Sequence, residues 1–242
     1  TFIKGLLSDL DRKSIEPVAL RYTGAEGVRP LQMFFKNSTF DDALMLKIYQ
    51  QQLAALIGED DGMLNVDGSD FPKKGTHSVG VARQHCGILG KTENCQAGVF
   101  VGYSSTKGYG LVDRRLYMPE SWFSESYAEL RKQCAVPNDL TFRTKNQLAS
   151  EMLQAAAASG TFPFRWVGCD SAFGCDRAFL ESLPEGCYYF ADVRANELVF
   201  PGMPEMTIPL SKTKGRKYKY PRPSFPPVKV ADYANDEQLP WQ

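Results

Sequence analysis

The sequence predicts an α/β fold, a mixed sheet covered by helices. Three observations carry this. The elements run helix, strand, a pair of antiparallel strands, helix, strand, helix, strand. Two of those strands close on an aspartate, Asp67 and Asp170. Two helical patterns end on a glycine, Gly58 and Gly160. Of the 242 residues, 43% are hydrophobic and 23% charged, the balance of a globular domain, which excludes a disordered chain. The 28 Lys and Arg equal the 28 Asp and Glu, so any basic surface must be local.

Residues 1–38 read as short helices joined by turns, with a polar stretch at Asp9–Ser14 and two glycines between Arg21 and Pro30. Thr39 to Ile57 reads as a helix. Ser38 or Thr39 can cap it, Asp41 and Asp42 fall in its first turn, and Leu46, Tyr49, Leu53 and Leu56 form one apolar face. Met63 to Asp67 follows as a short buried strand, broken at Gly68-Ser69. Ser78 to Val81 is strand-like, and Ala97–Tyr103 with Gly110–Tyr117 form a hairpin about Thr106-Lys107-Gly108. Ser121–Cys134 reads as a helix, and Thr144–Ser159 as another with a Thr144/Gln147 capping box. Arg165–Asp170 is a strand, Asp176–Ser182 a short helix and Cys187–Val193 a strand. From Pro201 to Pro240 prolines are frequent and helical periodicity vanishes, which marks a loop or a β-rich excursion.

No run approaches the ~18 apolar residues of a membrane span, and the opening Thr-Phe-Ile-Lys-Gly-Leu-Leu is too short in its apolar run for a signal peptide. The six cysteines include no Cys-x-x-Cys pair. They read as reduced thiols of a cytosolic protein, not as a zinc ribbon or disulfide framework.

Asp67 and Asp170 are the residues to weigh for chemistry. Strand ends gather functional groups because the scaffold fixes them while the following loop stays open. Two converging carboxylates offer hard oxygen ligands that suit Mg²⁺; equally, strand-terminal aspartates are common turn formers. Asp70 competes with Asp67, or caps the turn before Pro72. Lys73 and Lys74 lie close to the first carboxylate in sequence, where they offset phosphate charge or are simply exposed. The same question attaches to Arg83, Arg114 and Arg115, with an Asp113–Arg pair as the plainer reading. Ser211–Lys229 holds seven Lys/Arg (Lys212, Lys214, Arg216, Lys217 and Lys219 among them), three aromatics and no acid. It is a solvated basic loop or a contact that tracks a nucleic-acid backbone. A nucleophile built on His85-Cys86 is disfavoured, since neighbours on a strand point to opposite faces. A zinc site from His77, His85, Cys86 and Cys95 matches no common spacing, and no Gly-rich phosphate loop is present.

Longer motifs add a resemblance. Val66-Asp67-Gly68-Ser69-Asp70-Phe71-Pro72-Lys73-Lys74-Gly75, His77 to Gly87, Leu89 to Phe100, Asp113 to Trp122, and Trp166-Val167-Gly168-Cys169-Asp170-Ser171-Ala172-Phe173-Gly174 resemble, in this order, the bacterial insertion-sequence transposases of the DDE type. The resemblance covers the chain from about residue 30 onward. It implies an RNase H-like core, a mixed sheet flanked by helices, with a β-rich, Pro-rich insertion after the second catalytic Asp. The organisation expected is a helical region over 1–60, the first part of the catalytic core over 61–194 and the start of the basic insertion over 195–242.

The resemblance implies catalytic, metal-binding roles for Asp67 and Asp170, with Mg²⁺ or substituting Mn²⁺ as cofactor. The family's third carboxylate, a Glu, stands on a helix after the insertion. Neither Glu197 nor Glu237 has that setting, so the sequence reads as cut short of it. The implied function is metal-dependent DNA strand cleavage and strand transfer of an insertion sequence. The implied partners are double-stranded DNA and a second copy of the protein on that DNA, with no membrane, in the bacterial cytoplasm at the nucleoid. The DNA contacts expected are Lys73, Lys74, Arg83, Arg114, Lys212, Lys214, Arg216, Lys217 and Lys219. The alternatives are a catalytically dead DNA-binding derivative of the same fold and, in another class, a thiol hydrolase on Cys86.

Overall fold

The computed structural model describes residues 1–209 and 218–235. The chain forms two compact units, Thr1–Tyr49 and Gln50–Gln242.

The first unit is helical, as its turn-rich sequence predicts. It holds α1 (Phe2–Leu6), α2 (Ile15–Thr23), a 3-10 turn at Ala25–Gly27, α3 (Val28–Asn37) and the start of α4 (Asp42–Ile57). Gly5 lets α1 approach α2 closely: a Cβ there would lie 2.3 Å from Val18 Cγ1. Phe2, Phe34, Phe35 and Phe40 form an edge-on aromatic seam, with Phe2 and Phe35 centroids 4.6 Å apart. The helix expected from Thr39 begins at Asp42, because Asp41 is its cap: Asp41 Oδ1 accepts from Leu44 N at 2.8 Å. Past the unit boundary, Leu53, Ala54 and Ile57 of α4 pack on the core of the second unit.

That second unit is built on a sheet of β1 (Met63–Pro72), β2 (Ala82–Cys86), β3 (Lys91–Ser105), β4 (Gly108–Tyr117), β5 (Trp166–Cys169) and β6 (Tyr188–Ala191). β3 runs antiparallel to β1 on one side, and to β2 and then β4 on the other. β5 pairs parallel to β1, and β6 parallel to β5. This mixed, helix-flanked sheet is consistent with the RNase H-like core. The β3–β4 ladder slips by one residue at Val101/Gly102, so Val112 has no cross-strand partner of its own.

One sheet face is the core. Leu64, Val66, Val99, Val101 and Val167 are buried there with Ala149, Met152 and Leu153 of α6 (Lys145–Ser159). The Thr144/Gln147 capping box forms in both halves, and Gly160 closes α6 in the left-handed conformation at φ 59°.

Four expectations are corrected. β1 does not break at Gly68-Ser69 but continues to Pro72, because β3 pairs with it throughout, Gly68 opposite Val99 and Ser69 opposite Gly98. Ser78–Val81 is a turn, with Gly80 at φ +75° under Tyr117 O, and β2 starts at Ala82. Ser121–Cys134 is not one helix. Ser124 is extended (φ −73°, ψ 161°), which leaves two 3-10 turns and α5 (Ala128–Gln133) around buried Trp122. Between β5 and β6 there are two short helices rather than one, α7 (Ser171–Gly174) and α8 (Arg177–Glu181), capped by Asp170 and Asp176.

After β6 the chain forms β7 (Leu198–Val199), β8 (Met206–Thr207), β9 (Arg222–Pro223), β10 (Val228–Lys229) and α9 (Val230–Ala234). β7 pairs with β10 and β8 with β9, two small ladders apart from the main sheet. Among the described residues no helix is long and apolar enough to cross a membrane.

Candidate active site

The geometry of the site begins at the far end of the strands that carry it. Gly62 O accepts from Arg165 N at 2.9 Å and from Trp166 N at 3.2 Å, which joins the starts of β1 and β5. Tyr103, 1% exposed, bolts the same end. Its hydroxyl accepts from Glu59 N at 2.9 Å and donates toward Pro163 O at 2.7 Å. From there the parallel register runs Met63↔Trp166, Leu64↔Val167, Asn65↔Gly168, Val66↔Cys169. Asp67 and Asp170 are the residues that follow its last pair. Because side chains alternate, both project from the face opposite Leu64, Val66 and Val167. Gly168 confirms the shared face: a Cβ on it would meet Asn65 Oδ1 at 2.8 Å.

Both aspartates are exposed. Asp67 Oδ1 accepts from Gly68 N at 2.7 Å, and Asp170 Oδ1 from Ala172 N at 2.9 Å as the cap of α7. Among the described residues neither is ion-paired with a cation. Two exposed carboxylates that follow the last β1–β5 pair, each held locally by a backbone amide, offer hard oxygen donors of the kind a divalent ion takes. Two acids alone do not complete such a site; among the described residues no group of three or more His, Cys, Asp or Glu is arranged to hold a metal.

Asp70 belongs elsewhere. It projects to the core side of β1, where its Oδ2 accepts from Gly87 N at 2.6 Å and its Oδ1 lies 3.8 Å from Lys145 Nζ. It ties the β2–β3 turn and the start of α6 to β1, and does not compete with Asp67.

The expected basic residues are not all brought together. Arg114 lies opposite Phe100, which lies opposite Asp67, so all three share a face. Arg114 and Arg115 both approach the buried Asp113, at 3.7 and 2.7 Å, as the plainer reading held. Lys73 and Lys74 are exposed. Since β1 extends to Pro72, they stand roughly 20 Å along the strand from Asp67, not beside it. Arg83 is exposed on β2, opposite Asn94 and near the Glu93 charge. Lys219 is exposed, and Lys212, Lys214, Arg216 and Lys217 lie outside the described residues.

His85 and Cys86 part as strand neighbours do: His85 is exposed and Cys86 fully buried. Cys95 is buried beside Cys86, and burial, then the Cys86 thiol, push it up to about 11. Cys86 is a buried packing residue, without the solvent access that a thiol hydrolase requires.

A further acid, Asp192, follows β6. The β5–β6 register runs Trp166↔Tyr188 to Cys169↔Ala191, and Asp192 N donates to Cys169 O at 3.0 Å. Asp192 thus follows the last β5–β6 pair as Asp170 follows Cys169. The signal was available in part, since its strand also ends on an acid, Ala191-Asp192. Cys169 registers this surplus of negative charge. Burial first, then Asp170 and Asp192, push its thiol up to about 11.

Comparison with known proteins identifies a family. A family model described as DDE superfamily endonuclease matches residues 1–242, the whole chain. A curated relative, "Probable transposase for insertion sequence element IS701" of Microchaete diplosiphon, is 26% identical over 197 residues, 81% of this chain and 48% of its own length. The chain thus spans about half the length of that relative. Among solved structures, the NurA nuclease from Sulfolobus solfataricus covers 60% of this chain and 38% of its own, at 12% identity and a TM-score of 0.21, too low to carry an argument.

Proposed function

This chain belongs to the DDE superfamily endonucleases, and on that premise we propose that it carries the first two carboxylates of a transposase that cuts DNA at the ends of an insertion sequence and transfers the freed strand to a target. The observation that supports the reading is the β1–β5 register, whose last pair, Val66↔Cys169, comes immediately before Asp67 and Asp170.

In this reading Asp67 and Asp170 hold divalent metal, Mg²⁺ or Mn²⁺ in its place, with a Glu outside this chain as the family's third ligand. A bound ion would supply Lewis acidity to the phosphate and to an attacking water. The chain's own part is placement. The backbone bonds from Gly68 and Ala172 orient the two carboxylates before substrate arrives, so little reorganisation remains to be done in the transition state. Arg114, on the same face, faces the negative charge of the bound backbone. Lys73, Lys74, Arg83 and Lys219, with Lys212, Lys214, Arg216 and Lys217, neutralise phosphates farther along the duplex, so affinity falls steeply with salt. The protein acts on double-stranded DNA as a homodimer assembled on the element ends, at the bacterial nucleoid.

The test is strand cleavage of a labelled duplex carrying the element's end by the full-length protein, with Mg²⁺ and with EDTA. Cutting is expected only with the metal. Asp67→Asn and Asp170→Asn should each reduce cleavage at least 10³-fold, on the order of removing a catalytic electrostatic group, while duplex binding persists. Cleavage at the wild-type rate by either variant refutes the assignment.

A further inference from the structure

We infer that the turn at the tip of the β2–β3 hairpin is an apolar wedge that enters duplex DNA and opens a base step near the cut; the inference rests on the reading of this chain as a DNA-cutting enzyme. The tip is Gly87-Ile88-Leu89-Gly90, a single 3-10 turn between β2 and β3. Its two aliphatic side chains stand in solvent: Ile88 is 68% and Leu89 45% exposed. Turns are ordinarily polar, because an apolar side chain there has no core to join. The turn is held firmly from beneath. Asp70 Oδ2 accepts from Gly87 N at 2.6 Å, and a Cβ on Gly87 would lie 3.3 Å from that oxygen. Gly90 N donates to Gly87 O at 3.1 Å, and Gly90 closes the turn in the left-handed conformation at φ 62°. Asp70 is itself fixed, with Lys145 Nζ 3.8 Å from its Oδ1. The aliphatic pair is thus preorganised, which lowers the ordering cost of binding.

The charge around the tip selects the partner. Residues 71–95 contain Lys73, Lys74, Arg83 and Lys91 and a single acid, Glu93. Glu93 is spent on Lys91, 3.3 Å away, so cations prevail along the hairpin and its approach. Arg83 and His85 are exposed, opposite Asn94 and Thr92 of β3. Alternate residues of β3 lead from there to Gln96, opposite Phe71, and to Phe100, opposite Asp67. Arg83, His85 and Asp67 therefore share one face of the sheet. Duplex DNA meets both demands of this arrangement. Its phosphates take the cations, and its stacked bases take the aliphatic pair, as Ile and Leu do where they kink a duplex. The anchor also sets the place. Asp70 stands roughly 10 Å beyond Asp67 along β1, which corresponds to about three base pairs of duplex. A step opened there loosens the pairing of the strand to be cut.

The experiment uses duplexes carrying the element's end, with 2-aminopurine moved one position at a time along the first helical turn. The full-length protein binds them without divalent metal, and a separate end label reports binding by anisotropy. Wild type is compared with Ile88→Ala/Leu89→Ala, with Ile88→Leu/Leu89→Ile and with Arg83→Ala. Wild-type binding is expected to raise the fluorescence severalfold at one step, where the base unstacks. The double alanine should lose this rise at saturating protein and bind roughly tenfold more weakly, the scale of one lost aliphatic contact. The aliphatic exchange should keep the rise. Arg83→Ala should weaken binding and its salt dependence by about one phosphate contact, yet keep the rise in the saturated complex. No rise at any position with wild type, or a rise that persists in the double alanine, overturns this inference and leaves metal-dependent cutting at Asp67 and Asp170 standing. A double alanine that keeps the rise but forms a smaller species in light scattering also overturns it, and makes the tip a protein contact. Failure of the wild type to bind the duplex overturns both this inference and the reading beneath it.

Discussion

Replacing Tyr103 by Phe tests how the two aspartates come to be aligned. The ring is 1% exposed, packed on Phe162 with centroids 4.9 Å apart, and Phe retains that packing. Only the hydroxyl is lost. With it go the bond from Glu59 N at 2.9 Å and the bond to Pro163 O at 2.7 Å. An N–H and a carbonyl in a partly buried turn are left without partners, which costs about 1–3 kcal/mol. For a domain of this size that lowers the melting temperature by roughly 2–4 °C per kcal/mol. The assay is thermal unfolding followed by circular dichroism, with urea unfolding as a second measure of the same difference. Glu59 leads into β1 and Pro163 into β5, so hydrogen exchange should rise first at Gly62, Arg165 and Trp166, where the two strands are joined. An unchanged melting temperature, or a loss of protection confined to other strands, would refute the argument that this hydroxyl fixes the relative position of β1 and β5.

Two further outcomes follow from local chemistry. Thr144→Ala removes the side-chain half of the α6 capping box, the 3.2 Å bond from Gln147 N, and should cost about 1 kcal/mol in urea unfolding; no change would mean that the Gln147 half suffices. Cys169, raised from an ordinary 9.0 to about 11 in the fold, stays protonated where an unfolded thiol ionises. Its contribution to stability is therefore complete below about pH 9 and lost as pH rises toward 11. Alkylation mapped by mass spectrometry should be slower at Cys169 than at a free peptide thiol at pH 8.5, and an equal rate would contradict the raised value.

What the sequence revealed was whatever is decided locally. The α6 capping box, the glycine ends of α4 and α6, and Asp170 directly after β5 rest on a few neighbouring residues and appear as read. What it concealed was decided by pairing. Gly68-Ser69 has the composition of a break, yet it lies inside a ladder with β3 that supplies its backbone partners. Ser124 ends a run whose apolar spacing is helical, because Trp122 turns inward to donate to Val81 O at 2.8 Å. The acid after β6, Asp192, is visible in the sequence, but its neighbours are not, since they depend on β6 lying parallel to β5 in one register. Lys73 and Lys74 are close to Asp67 in number but not in space, for the same reason that β1 is long.

The one-residue slip between β3 and β4 turns two successive residues toward the core. Val112 is the surplus residue, and beyond it Asp113 and Arg115 take the core side while Arg114 takes the side of Asp67. Deleting Val112 would run Leu111↔Gly102 straight into Asp113↔Val101, a regular ladder that leaves Arg114 on its face and removes one buried valine side chain. Among homologues and in library selections, loss of one residue at this point should therefore cost core packing without moving Arg114.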